Sequence, residues 1–182
     1  MRRSARHHVL GALAAATVVA APARAQQPTF TDSMLDKFVG DWTLQGMMQG
    51  KETTHDIAVR WAIQHQYLRI VETSREKKPD GTPTYEANVY LAWDGVAKQY
   101  TCVWLDTYGS VTEESIGRAP AGGKELAFVF HYRDGTGFHT TFTPGPTADT
   151  WTWKMDNVSK SGALAPFARV TLTRKPAPVP TR

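Results

Sequence analysis

Apolar and polar residues alternate along most of the chain after Asp41, with a period of two. Segments rich in Gly, Pro and Asp, such as KKPDGTP and RDGTGF, interrupt the alternation and predict tight turns. The pattern therefore predicts strands that each pair with the next. Ten are expected, near residues 41–48, 55–63, 67–76, 84–93, 99–106, 110–118, 125–132, 138–143, 150–156 and 167–174.

Strands joined by short turns favour an up-and-down meander, and closing the meander into a barrel removes its two unpaired edges. The sequence therefore predicts an all-β fold, a closed antiparallel up-and-down β-barrel of about ten strands. One short helix is expected from Asp32 to Phe38, with Thr31 or Asp32 as its N-cap. We expect this N-terminal helix to plug one end of the barrel.

Three hairpins predict which face of the sheet points inward. Because successive side chains alternate, a shift of one residue would reverse every face, so we select registers that gather the apolar residues. The selected pairs are His131–His139, Trp93–Tyr100 and Ile63–Leu68. These registers place all six tryptophans inside: Trp42, Trp61, Trp93, Trp104, Trp151 and Trp153. Their burial can stabilise a domain whose single cysteine, Cys102, forms no internal disulfide.

The N-terminus has the features of a secretory signal peptide. Three arginines among the first eight residues precede an apolar run over 9–23, and Ala23-Arg24-Ala25 is a small-residue cleavage site. The apolar run is short for a transmembrane helix. We expect cleavage after Ala25 and a periplasmic or secreted protein. The predicted organisation is a signal peptide over 1–25, a barrel domain over 26–175 and a Pro-rich tail over 176–182.

Cleavage would remove the net charge of the chain. The full sequence has 21 Lys and Arg against 17 Asp and Glu. Four arginines and no acidic residue lie within residues 1–25, so 17 basic and 17 acidic residues remain. A neutral chain exerts no long-range attraction on nucleic acid or anionic lipid. We therefore expect no nucleic-acid partner, and no membrane span in the mature chain.

A short helical turn followed by Phe38-x-Gly40-x-Trp42, with Arg174 closing the strand VTLTR, resembles the lipocalin-like (calycin) barrels. The resemblance implies that Trp42 packs beneath the barrel and that Arg174 lies over it, with Gly40 as the third signature position. A closer resemblance is to an exported bacterial family, domain of unknown function 1579. It includes the G-x-W start, YEANVYLAWD and WLDTYGS, and covers most of residues 33–174. That family implies a fold and no settled activity.

Aromatic walls with a few polar groups are typical of small-molecule pockets. Glu72 would lie among apolar residues if it faces inward, where a carboxylate needs a hydrogen-bond donor or a proton; a register shift would instead turn it to solvent. Asp106 is expected at the rim, and His55 exposed at the barrel mouth. The candidate ligand-binding residues are His55, Trp61, Glu72, Trp93, Tyr100, Trp104, Asp106, Phe130 and Trp153.

Motifs for metals, haem and nucleophilic catalysis are absent or incomplete. His131 and His139 could bind a metal across a hairpin, but the selected register puts them outside and supplies no third ligand. The calycin-like nitrobindins hold haem through a late histidine, and no histidine follows His139 here. The sequence has neither G-x-S-x-G nor a phosphate-binding glycine motif. We expect no cofactor, metal or catalytic residue.

The leading hypothesis is an exported lipocalin-like barrel that binds a small apolar or aromatic ligand. One alternative is a barrel filled by its own side chains, which acts on a protein partner through loops such as REKKPDG. Another alternative is an enzyme that uses Glu72 or Asp106 as acid or base and Arg174 to hold an anion. The sequence favours a binding protein over this enzyme. The last alternative is a small outer-membrane barrel, because alternation alone does not show whether the apolar face points into the barrel or out toward lipid.

Overall fold

The computed structural model describes residues 30–176, so the predicted signal peptide and residues 177–182 of the predicted tail lie outside the described range. Helix α1 covers Ser33–Phe38, and a 3-10 turn covers Glu113–Ser115. No helix in the described range has the length and hydropathy needed to cross a membrane. The strands are β1 Gly40–Met48, β2 Lys51–Ala62, β3 Tyr67–Ser74, β4 Glu86–Asp94, β5 Gln99–Asp106, β6 Ile116–Pro120, β7 Leu126–His131, β8 Gly137–Pro144, β9 Thr150–Val158 and β10 Leu164–Arg174.

The ten strands form one closed antiparallel barrel. Each strand pairs with the next in sequence, and β1 pairs with β10 to close the cylinder. The predicted fold class is therefore confirmed. Closure gives every strand of the described range two neighbours, although β6 and β7 share only the pair Arg118–Val129.

The sixth strand begins later than predicted. Residues 110–115, assigned to it from the alternation, form a loop and the 3-10 turn instead. Thr112 Oγ1 accepts a hydrogen bond from Glu114 N at 3.2 Å, and Ser115 Oγ accepts one from Thr112 N at 3.3 Å. Such local side-chain bonds offer the backbone an alternative to the sheet ladder, which explains the late start.

One of the three predicted registers is confirmed and two are shifted by two residues. The structure pairs Trp93 with Tyr100 as predicted, but Trp61 with Leu68 and Val129 with His139. Ile63 belongs to the turn between β2 and β3, where residues 63–65 all have positive φ. The pairing therefore starts at Ala62 rather than at Ile63. Because a shift of two residues preserves the alternation, the predicted inner face is still correct.

Helix α1 covers one end of the barrel, called here the α1 end. Asp32 Oδ1 caps the helix by accepting hydrogen bonds from Met34 N at 2.8 Å and Leu35 N at 3.0 Å. Leu35 and Phe38 are fully buried. The Phe38 ring lies 4.6 Å from the ring of Trp151, between centroids, so the apolar side of the helix packs directly on the barrel interior.

Gly40, Trp42 and Arg174 meet at the α1 end. The guanidinium carbon of Arg174 lies 4.0 Å from the centroid of the Trp42 ring, the arrangement that the resemblance implied. Arg174 also donates hydrogen bonds to Val39 O and Lys37 O, at 2.9 and 3.1 Å. A Cβ atom on Gly40 would lie 2.1 Å from Arg174 Nη1, and its φ is +152°. The G-x-W motif thus combines a buried ring with the space for the cation above it.

The predicted inward orientation of the tryptophans is also confirmed. Trp42, Trp151 and Trp153 are at most 1% exposed. The other three, which are Trp61, Trp93 and Trp104, are partly buried and pack against the same core. Cys102 is buried on this face, and burial raises the pKa of its thiol well above the ordinary value.

Candidate ligand-binding cavity

A cavity of about 840 Å³ occupies the end of the barrel opposite α1, called here the open end. It lies within the ends of the strands near the β1–β2, β3–β4 and β5–β6 connections, and no residue of α1 lines it. Part of its wall consists of aromatic side chains and one methionine: Tyr85, Trp104, Phe130, Phe138, Met155 and Phe167. The barrel is therefore filled at one end and hollow at the other.

The inward-facing side chains pack differently at the two ends of the barrel. At the α1 end the interior positions hold fully buried Trp42 and Trp151. At the open end small side chains such as Thr53, Thr84 and Ser115 line the space together with the aromatic rings. Together these side chains leave a void of about 840 Å³ at this end.

Glu72 and His55 form a buried pair that lines the cavity. Glu72 is 1% exposed and His55 is 3% exposed. His55 Nδ1 lies 2.5 Å from Glu72 Oε1, and His55 Nε2 lies 2.8 Å from Thr53 Oγ1. Both imidazole nitrogens are thus engaged, and the histidine orients the carboxylate.

The predicted exposure of His55 is wrong. Strand β2 begins at Lys51, four residues before His55, and not at His55 itself. His55 therefore lies within the strand, opposite Leu44 on β1 and Ser74 on β3, with its side chain turned inward. Glu72, opposite Ile57 on β2, also points inward.

One oxygen of Glu72 has no partner. Within the described residues, Oε2 is buried and accepts no hydrogen bond. Leaving a buried acceptor unsatisfied costs about 1–3 kcal/mol, and more when the group is charged. Such groups are rare in folded proteins, and when one lines a cavity it marks a place where an additional donor would be stabilised.

Tyr85, Trp104 and Asp106 form a second polar group in the cavity wall. Trp104 Nε1 donates to Tyr85 Oη at 3.0 Å, and Tyr85 Oη donates to Asp106 Oδ2 at 3.3 Å. Burial, reinforced by the carboxylates of Glu72 and Asp106, raises the pKa of Tyr85 far above its ordinary value, so the phenol keeps its proton. Asp106 Oδ1 also accepts from Tyr108 N at 2.9 Å in the turn after β5. Asp106 is thus both a turn residue and a cavity residue.

The structure brings together five of the nine candidate ligand-binding residues. His55, Glu72, Trp104, Asp106 and Phe130 all line the cavity. Phe130 lies against the backbone of β6, because a Cβ on Gly117 would be 2.5 Å from its ring. The Trp104 and Phe130 rings stand edge to face, 6.4 Å apart between centroids, and form one corner of the wall.

The other four candidates do not line the cavity. Trp61, Trp93 and Tyr100 lie toward the α1 end, where Trp61 Nε1 donates to Asp36 at 2.9 Å and Tyr100 Oη donates to Asp32. Trp153 is buried below the cavity, between the rings of Phe142 and Trp104. Its Nε1 donates to Thr140 Oγ1 at 2.6 Å. These residues hold the barrel and the helix together.

Several lining residues were not among the candidates, notably Tyr85, Tyr132, Phe138 and Phe167. Each lies within two residues of a turn, or in the irregular start of β10, near the open end. Tyr132 and Phe138 already face inward in the predicted registers. A rule that collects inward residues from one end of the strands would have found them.

The predicted His131–His139 pair does not form, because His139 pairs with Val129 and His131 with Gly137. Both histidines border a small groove of about 150 Å³ that is also lined by the β7–β8 and β9–β10 turns, and His131 is exposed. Among residues 30–176, no group of three or more His, Cys, Asp or Glu side chains is placed to hold a metal ion.

Fold and cavity together define a closed ten-stranded antiparallel barrel with an aromatic-walled cavity at one end. No model of a known protein family matches the chain, and no curated protein matches it.

Proposed function

We propose that this protein is an exported, lipocalin-like barrel that binds a small apolar or aromatic molecule in the cavity at the open end. The observation that carries the proposal is the cavity itself. Its volume of about 840 Å³ falls in the range of about 300–1,000 Å³ that is typical of small-molecule pockets. Export is proposed from the N-terminal pattern, and the lipocalin-like relationship from Gly40, Trp42 and Arg174.

The walls suit a rigid apolar ligand. Two edge-to-face pairs, Trp104–Phe130 and Phe138–Phe167, have interplanar angles of 82° and fix four rings around the cavity. Rings held by one another lose little freedom when a ligand arrives, so the entropic cost of binding is small. The few polar groups, above all Glu72 and Asp106, would orient the ligand.

The filled-barrel alternative has less support. Interior side chains pack fully only in the half of the barrel near α1, and the open end keeps its cavity. A protein partner that contacts the REKKPDG turn would leave this cavity without a role.

Native mass spectrometry of residues 26–182, purified gently from an exporting bacterium, is the direct test. An extra mass that is lost on denaturation would identify the ligand. A titration with the neutral fluorescent probe N-phenylnaphthylamine adds a test that needs no natural ligand. We expect a saturable rise in probe fluorescence.

Two matched variants on β9 locate the binding. Asn157 lines the cavity, whereas Thr152 is exposed on the outer face of the same strand. Asn157→Trp should weaken probe binding at least about tenfold by filling the mouth, and Thr152→Trp should not. Equal binding by wild type and Asn157→Trp would place the probe elsewhere, and absent binding by wild type would refute the proposal.

A small-molecule enzyme is the second candidate, and the His55–Glu72 pair favours it. A buried carboxylate oriented by a histidine has the geometry of a general base. Arg174 has no part in this version, because it is committed to the α1 end. The test is to incubate the ligand found by mass spectrometry with the protein and follow its conversion. Turnover that is lost in Glu72→Gln while binding persists would support catalysis.

A further inference from the structure

We propose that the ligand carries a protonated amine, and that this ammonium group donates a hydrogen bond to Glu72 Oε2 while its apolar body lies against the aromatic wall. The inference rests on the proposed function, since it names the chemical class of molecule that the same cavity would take. It follows from three features of the cavity: an unpaired acceptor, an excess of negative charge and a set of aromatic rings.

The unpaired acceptor cannot be satisfied by the nearby side chains as they stand. Among residues 30–176, Glu72 Oε2 is buried without a partner, although Oε1 is held by His55. Three of the donors that line the cavity are already engaged: Thr53 with His55, Trp104 with Tyr85, and Tyr85 with Asp106. Within the described residues no donor reaches Oε2, and a ligand in the cavity can bring one.

The charge of the lining selects the kind of donor. Four carboxylates line the cavity, those of Glu72, Glu76, Asp106 and Glu114, against a single lysine. That lysine, Lys51, pairs with Glu76 at 2.9 Å and is largely exposed. Even if His55 is charged, the lining keeps an excess of negative charge. Such a site attracts a cation and repels a carboxylate or phosphate.

The aromatic wall suits the same group. An ammonium near the face of a tryptophan or tyrosine is attracted by the negative potential of the ring. Trp104, Tyr85 and Tyr132 line the same cavity as Glu72. A neutral alcohol could also donate to Oε2, but it would gain neither this attraction nor that of the carboxylates.

The experiment compares three ligands with one indole ring and different head groups: tryptamine, tryptophol and indoleacetate. Isothermal titration calorimetry on residues 26–182 should rank them in that order of affinity. We expect tryptamine to bind at least about tenfold more tightly than tryptophol, which corresponds to about 1.4 kcal/mol. Indoleacetate should bind most weakly of the three.

Two carboxylate variants test the residue. Glu72→Gln keeps the shape and removes the charge, and should abolish the preference for tryptamine. Glu86→Gln removes the same charge from an exposed position on β4 and should leave the preference unchanged. A preference that persists in Glu72→Gln would overturn the assignment to Glu72. If Glu72→Gln does not fold, the wild-type ranking still decides the class of ligand.

Failure of this inference is distinct from failure of the proposed function. If N-phenylnaphthylamine binds the cavity but tryptamine binds no more tightly than tryptophol, the amine is wrong and the binding function stands. If neither the probe nor any indole binds, both are overturned.

Discussion

The two ends of the barrel share one alternation and differ in how closely their inward-facing side chains pack. At the α1 end, Trp42, Trp151 and Phe38 are fully or almost fully buried against one another. At the open end, Thr53 and Ser115 border a cavity of about 840 Å³. The comparison shows that one closed sheet can enclose a packed core at one end and a cavity at the other.

The two ends also differ in how their polar groups are satisfied. At the α1 end Trp42 Nε1 donates to Phe38 O at 3.0 Å, and Arg174 donates to backbone carbonyls. At the open end Glu72 Oε2 has no partner in the part of the chain that the structure describes. Natural sequences depart from complete satisfaction mainly at functional sites, so the difference supports the proposed binding site at the open end.

The largest expected effect is the loss of the Trp42 ring. Trp42→Ala should lower the free energy of unfolding by about 3–5 kcal/mol, because it opens a cavity in a packed region. Trp104→Ala, which truncates a ring that already borders a void, should cost only about 1–2 kcal/mol. Chemical denaturation measures both. A loss below about 1 kcal/mol for Trp42→Ala would contradict the description of the α1 end as the packed end.

The next effect concerns the buried pair at the open end. Replacing both members, as His55→Leu with Glu72→Leu, should leave stability unchanged or raise it by up to about 1–4 kcal/mol, since buried polar pairs often stabilise less than apolar side chains. Glu72→Leu alone should be less stable than the double variant, because it leaves His55 buried without its acceptor. Thermal and urea unfolding report the difference. A double variant clearly less stable than wild type would show that the pair serves the fold rather than a ligand.

A smaller effect is expected at Gly40. Gly40→Ala would place a Cβ 2.1 Å from Arg174 Nη1 at a φ of +152°, and should cost about 1–3 kcal/mol through displacement of the arginine and backbone strain. Gly95→Ala is the matched control, because its nearest neighbouring atom is 4.0 Å away. The control should change stability by no more than about 0.5 kcal/mol. Equal effects at the two glycines would contradict the requirement for space above Trp42.

The smallest effect belongs to the outer face. The hydrogen bond from Arg75, together with Lys175, lowers the pKa of Asp56 from 3.8 to about 2. The pKa of Asp56 is lower in the folded state than in the unfolded chain. Its ion pair therefore stabilises the fold fully above about pH 4, and this stabilisation is lost as the pH falls toward about 2. Asp56→Asn should lower stability by at most about 1 kcal/mol near neutral pH and reduce the acid dependence. An acid dependence identical to wild type would show that other carboxylates account for it.

Alternation predicted the number of strands and the inner face, because burial imposes a period of two on every strand of a closed barrel. Alternation predicted strand boundaries and registers less well where the length of a turn determines them. The exposure expected for His55 was wrong because polar KETT gives no sign that β2 begins at Lys51. The register at Ile63 was wrong because three consecutive residues with positive φ lengthen the turn.

The position of the cavity along the barrel could not be predicted. The alternation assigns Trp61, Trp104 and Trp153 to the inside equally, yet only Trp104 lines the cavity. Which end of each strand a residue lies toward, and how much volume its neighbours leave, depends on the register of all ten strands together. The same dependence on register places Tyr100 at the α1 end of β5 and Asp106 at the open end of that strand.

The pairing of the first strand with the last has a consequence for folding kinetics. The hydrogen bond from Arg174 to Val39 O joins residues 135 positions apart in sequence. Contacts of such separation form slowly, because a long loop must close before they gain any energy. Until β10 arrives, β1 keeps an unpaired edge, so the interval before closure is when the chain is most exposed to aggregation. Refolding followed by tryptophan fluorescence should accordingly end in a slow phase, and Trp42 should reach its final environment only in that phase.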